Sequence, residues 1–115
     1  MLLNLSNHPS TNWPESQKKA AIETFGSIED LPFPQIDPNW DEDKIDELAA
    51  EYLLKIMQIN PAAVHIMGEL TFAFKLVDRL KAENIKCVAS TTVREASEEN
   101  GIKISVFRFI RFREY

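Results

Sequence analysis

At 115 residues, 44% apolar and 27% charged, the chain has the size and composition of one globular domain with a modest core, not of a disordered or collagen-like polymer. Its 18 acidic against 13 basic side chains leave a net charge of −5, which excludes general binding to long nucleic acid, since that needs a broad basic face. The single Cys87 excludes an internal disulfide, no zinc-site spacing occurs, and neither a secretion signal nor a membrane-spanning apolar run is present, so a cofactor-free protein of the reducing cytoplasm is expected.

Leu2 to Leu5 is an apolar run closed by Ser6-Asn7-His8-Pro9, which predicts a buried first strand entering a loop. Pro14 suits the first turn of a helix running through Gln17, Ala21, Ile22 and Phe25, and Gly26 ends it. Ile28 to Leu31 is a short second strand stopped by Pro32-Phe33-Pro34, and clustered prolines make the stretch to Trp40 an irregular crossing. Asp41-Glu42-Asp43 places negative charge at the start of a second helix, in which Ile45, Leu48, Ala49, Tyr52, Leu53 and Ile56 recur at helical spacing.

Asn60-Pro61 breaks that helix, and Ala63 to Met67 is a third strand ending at Gly68-Glu69. Leu70 to Glu83 is a third helix with an apolar stripe of Phe74, Leu76, Val77 and Leu80, followed by a fourth strand over Ile85 to Ala89. The turn-like Glu98-Glu99-Asn100-Gly101 is too short for a crossover helix, so the last strand, Lys103 to Phe112, must return antiparallel at an edge. Alternation of strand and helix predicts a single α/β domain over residues 1–115: a three-layer, Rossmann-like open sheet, mostly parallel, in order 2-1-3-4-5 with the last strand reversed.

In such sheets ligands bind beyond the carboxyl ends of the strands, near the reversal of strand order. That rim is expected to collect Ser6-Asn7-His8, then Gly68-Glu69 with Thr71, then Ser90-Thr91-Thr92 with Arg94 in a loop after the fourth strand. Hydroxyls and backbone N–H groups of Ser90, Thr91 and Thr92 suit a phosphate and Arg94 suits its oxygens, although a Ser/Thr-rich strand end is also a common turn. Cys87 and Arg94 are spaced one residue too far apart for a phosphatase loop.

His8 is open to two readings, a proton-transfer group or a packed histidine before proline, whereas His65, inside a buried strand, reads as structural. Glu69 either caps the following helix or serves the site, and Gly68 either admits a ligand to backbone N–H groups or only makes the turn. Strict alternation in the last strand puts Phe107, Phe109, Arg111, Arg113 and Tyr115 on one face and Val106, Arg108, Ile110 and Phe112 on the other. Such interleaving occurs in sheets that stack RNA bases, and more often in guarded edge strands or dimer contacts. Trp13 and Trp40 fall in loops, where each either covers a ligand or closes the core.

Taken together, Asn4-Leu5-Ser6-Asn7-His8, Met67-Gly68-Glu69-Leu70-Thr71-Phe72, Ala89-Ser90-Thr91-Thr92-Val93-Arg94-Glu95 and Phe109-Ile110-Arg111-Phe112-Arg113-Glu114-Tyr115 resemble small CRISPR-associated proteins of the ring nuclease group, single-domain relatives of the CRISPR-associated Rossmann fold. Relatives carry two adjacent arginines after the threonines, where this chain has Val93 then Arg94. The resemblance implies a homodimer that binds a cyclic oligoadenylate, foremost cyclic tetra-adenylate, and cleaves it without metal to switch off type III CRISPR signalling. It implies Arg94, Ser90, Thr91 and Thr92 on phosphate, Ser6 and Asn7 orienting ribose or phosphate, and His8 as proton-transfer group. Two alternatives stay open: a non-catalytic sponge or sensor for the same messenger, and a protein-interaction module that ignores nucleotides.

Overall fold

A computed structural model covers residues 1–115. The elements are β1 (Leu2–Ser6), α1 (Glu15–Phe25), β2 (Ile28–Asp30), α2 (Glu42–Ile59), β3 (Ala63–Met67), α3 (Leu70–Ala82), β4 (Cys87–Glu99) and β5 (Ile102–Glu114), with a single 3-10 turn at Ser10–Asn12 before α1. They form one five-stranded sheet in the order β2-β1-β3-β4-β5, as the pattern predicts. Every pairing is parallel except β4 with β5.

Alternation along the short central strands divides the interior into two cores. Leu3, Leu5, Val64, Ile66 and Cys87 point to one face and pack beneath α2 and α3, where Ile45, Tyr52, Ile56, Phe72, Leu76 and Leu80 cover them. Leu2, Ala63 and Val88 point to the other face, where Trp13 and Ala21 close a smaller cluster. Within α3 the buried stripe is Phe72, Ala73, Leu76, Val77 and Leu80. Phe74, expected in that stripe, is exposed, because the helix turns Leu70 and Phe74 outward together.

The largest departure from expectation is β4. Ser90, Thr91, Thr92 and Arg94, expected in a loop, lie within a strand that runs on to Glu99. Thr91, Thr92 and Val93 are β-branched and favour extended backbone, while Asn100 and Gly101, both at positive φ, make the two-residue turn that suits a tight hairpin. β3 reaches β4 only at Cys87 and Val88, so beyond Ser90 the hairpin has no other strand beside it. The result is a two-stranded arm projecting from the domain. It raises the radius of gyration to 15.8 Å, against about 13 Å for a compact chain of this length.

A β-bulge also overturns the expected facing of β5. Thr91 pairs with Arg111 but Thr92 pairs with Phe109, so Ile110 is the extra residue and alternation changes phase there. Phe107, Phe109 and Phe112 therefore share one face, with the Phe109 and Phe112 rings 5.0 Å apart, and Arg111 and Arg113 turn to the other.

Candidate functional site

Strand order reverses between β1 and β3, and there a cleft of about 580 Å³ opens at the carboxyl ends of the strands. Six expected residues line it: Ser6, Asn7, His8, Gly68, Ser90 and Thr92. Trp13, His65 and Phe107 are among the other residues of the wall. No lysine, arginine, aspartate or glutamate lines this cleft, and its hydroxyl, amide and imidazole groups are set in a largely apolar wall.

Each strand reaches the cleft by the same two-residue step. Leu2, Ala63 and Val88 are buried under α1, and the next residues on that face are Asn4, His65 and Ser90. Register places Asp30 opposite Asn4 and Asn4 opposite His65, giving a polar row across three parallel strands. Polar groups at this depth need partners, and the row supplies them.

The Asn4 amide nitrogen donates to Asp30 Oδ1 and to the His8 carbonyl, at 2.8 Å each. Its oxygen is thereby left as acceptor, and Ser6 Oγ donates to it at 2.8 Å. His65 Nδ1 lies 2.9 Å from the same oxygen and must carry the proton. His65 Nε2 is then an open lone pair, and the Ser90 hydroxyl sits 3.2 Å from it. The only competing acceptor for that hydroxyl is the Met67 thioether at 2.9 Å, a weak one.

The surroundings hold the imidazole in place and neutral. Only 2% of His65 is exposed, and Trp13 and Phe112 meet its ring edge-on at 5.1 and 5.7 Å. Burial, helped by the nearby His8, pushes its pKa down to about 4. Trp13 also donates its indole N–H to the His8 carbonyl at 3.1 Å, and the Asp30 carboxylate accepts from Ser10 N–H and Oγ, so the turn after β1 is fixed from both sides. Trp13 therefore closes the core and the cleft together; Trp40, partly exposed, lies beneath the Lys44 ammonium away from the site.

The remaining expected residues fall outside the cleft wall. Arg94 lies on its face of the arm, one pleat beyond Thr92 and opposite Phe107, with Nε donating to Ser105 Oγ at 2.8 Å. Thr91 points to the opposite face, where its hydroxyl bonds the backbone of Arg111 at the bulge. Glu69 caps α3, accepting from Thr71 N–H, Phe72 N–H and the Thr71 hydroxyl. Desolvation raises the Glu69 pKa, and those hydrogen bonds outweigh it, leaving the carboxyl below its usual range. Gly68, which does line the cleft, also serves packing: a Cβ there would collide with the Phe33 ring.

His65 is the residue that strand reasoning set aside. Its signal is its offset: in parallel strands of the pattern Leu2-Leu3-Asn4-Leu5 and Ala63-Val64-His65-Ile66, the polar residue stands third in both, which in register brings the two together.

These features define an open-sheet α/β protein with a cleft at the strand-order reversal and, at its wall, a chain of hydrogen bonds that runs from exposed Asp30 through buried Asn4 and His65 to half-buried Ser90. The model of the family described as "Uncharacterized protein MJ1673 family" matches residues 1–113, and the chain belongs to that family. No curated protein and no solved structure matches it significantly.

Proposed function

We propose that this protein is a ring nuclease: a cytoplasmic homodimer that binds a cyclic oligoadenylate, foremost cyclic tetra-adenylate, and cuts it without metal to linear products ending in 2′,3′-cyclic phosphate. The observation that carries the reading is the cleft at the strand-order reversal, where hydroxyl, amide and imidazole groups of three strand ends converge beside the aromatic rings of Trp13 and Phe107. Aromatic rings suit adenine bases, and convergent hydroxyls and amides suit ribose and phosphate. In this reading Ser90 and Thr92 bind phosphate, Ser6 and Asn7 orient the ribose, and His8 transfers a proton at the cleft mouth. Arg94 enters from the arm to meet the phosphate charge that the uncharged wall leaves unmatched.

The chemistry asks mainly for geometry. A ribose 2′-hydroxyl attacks the adjoining phosphorus in line, so the site must hold that alignment and stabilise the added negative charge. A ring of four or six identical nucleotides has even symmetry, so a two-fold dimer can offer the same cleft to each half. The arm supports dimerisation: Val93, Ile102, Ile104 and Val106 share one of its faces and are all exposed, and an isolated two-stranded hairpin is marginal in water.

The test is incubation of the purified protein, with chelator present, with cyclic tri-, tetra- and hexa-adenylate, followed by chromatography and mass analysis. Linear products ending in cyclic phosphate are expected, and Arg94→Ala lowers their rate about a hundredfold. Intact rings reject the enzyme reading. Binding of intact rings would instead identify a messenger sponge, and no binding a protein-interaction module.

A further inference from the structure

Transesterification by a 2′-hydroxyl requires a group that accepts its proton. His8 stands in the loop after β1 and is exposed, with no side-chain hydrogen bond that would fix its ring. The only proton acceptor in the cleft whose orientation is fixed on both sides lies deeper, at the end of the Asp30–Asn4–His65–Ser90 chain.

We infer that Ser90 is the catalytic proton acceptor of this cleft, with His65 Nε2 behind it receiving the serine's own proton and Asn4 and Asp30 fixing the imidazole for that purpose. Three observations carry the inference. First, both residues line the cleft, but Ser90 is part-exposed and His65 only 2% exposed, so a ligand meets the hydroxyl before the imidazole. Second, the hydrogen-bond accounting leaves one tautomer: the Asn4 amide spends both donors on Asp30 and the His8 carbonyl, so Asn4 Oδ1 takes the Nδ1 proton and Nε2 must accept. Third, the partner that the buried Nε2 finds, at 3.2 Å, is a hydroxyl that also faces the cleft from β4, so the contact that satisfies this nitrogen leaves it one proton transfer from a ligand.

The step balances. The substrate 2′-hydroxyl gives its proton to Ser90 Oγ as Ser90 gives its own to His65 Nε2. The buried imidazole is a weak base at rest, and the negative charge developing on the phosphoryl oxygens favours its transient protonation. The 2′ oxygen forms its bond to phosphorus, the bond from phosphorus to the 5′ oxygen breaks, and that oxygen takes a proton passed from water through His8 at the cleft mouth. His65 then returns its proton to water through Ser90, and the pair is reset. His65, Asn4 and Asp30 are positioning residues here, because they act on the ligand only through Ser90.

This inference rests on the nuclease reading, and the experiment separates the two. Turnover of cyclic tetra-adenylate is measured for the wild type, Ser90→Ala, His65→Asn and the double variant, with thermal unfolding as a check on folding. Asn at position 65 keeps a donor toward Asn4 and removes Nε2. Each single variant is expected to lower kcat by about a hundredfold, with KM unchanged in His65→Asn and raised in Ser90→Ala, which also loses a phosphate contact. The double variant is expected to fall no further, since groups acting as one unit are non-additive. Nitrogen NMR of the free wild type is expected to show the Nδ1-protonated tautomer of His65, with the Nε2 resonance moving in Ser90→Ala. A wild type that cuts while folded Ser90→Ala or His65→Asn cuts equally fast overturns the inference and leaves the nuclease reading standing. An Nε2-protonated tautomer likewise overturns it alone. Intact rings with the wild type overturn the nuclease reading, and this proton path with it.

Discussion

Acidification should weaken the fold through His65, and the size of the effect follows from its burial. The imidazole titrates at about 4 in the folded protein against an ordinary 6.5. Between those values the unfolded chain binds a proton that the native state refuses, so stability falls as pH drops through 6.5 and the loss is complete near 4. A gap of about 2.5 at about 1.4 kcal/mol for each pH unit amounts to about 3 kcal/mol, a large share of the roughly 5–15 kcal/mol that holds a small domain together. Carboxylates add their own acid dependence, so the comparison is with His65→Asn, which cannot titrate at this position. Urea unfolding of both proteins at pH 7.5, 6, 5 and 4 gives the assay. Whatever His65→Asn costs at pH 7.5, its deficit should shrink by about 3 kcal/mol on reaching pH 4. Two stability curves that stay parallel over the whole range would refute the reasoning.

Gly68→Ala pushes a methyl into the Phe33 ring and should cost about 1–3 kcal/mol by chemical unfolding, with most of the loss recovered on adding Phe33→Leu. The Cys87 thiol, buried beneath α3 with its pKa raised by burial to about 11, should stay unmodified by a disulfide reagent at pH 8 until the protein is unfolded. Ile104→Thr with Val106→Thr should leave the melting temperature of the domain within a few degrees while reducing self-association in sedimentation, because both residues are on the projecting arm.

Much of the scaffold could be read without coordinates, and the reasons are local. The helical recurrence from Ile45 to Ile56, the breaks at Gly26 and Asn60, and the tight turn at Asn100-Gly101 each act over a few residues, and together they dictate the strand order. The arm escaped because a strand outside the core loses the apolar alternation that marks buried ones. Ser90-Thr91-Thr92 looks like a loop by polarity, although its β-branched residues suit a strand. The bulge at Ile110 left a mark that a reading by strict alternation passed over: Phe107-Arg108-Phe109 gives way to Arg111-Phe112-Arg113, a change of phase across Ile110 that the pairing with Thr91 and Thr92 explains. His8 and Ser90 were legible as rim residues, whereas the role of His65 depends on Asn4, sixty-one positions away, and no local pattern carries such a distance.

The arm also separates two lengths that are coupled in most sheets. Its two strands pair only with each other beyond Ser90, so one residue added to each adjoining the Asn100-Gly101 turn would lengthen its reach by one rung and leave every core contact in register. An odd change in one strand alone would invert the facing of everything beyond it. Natural variation in this hairpin should therefore come as matched pairs, which makes its reach an adjustable dimension of the molecule while the cleft beneath keeps its dimensions.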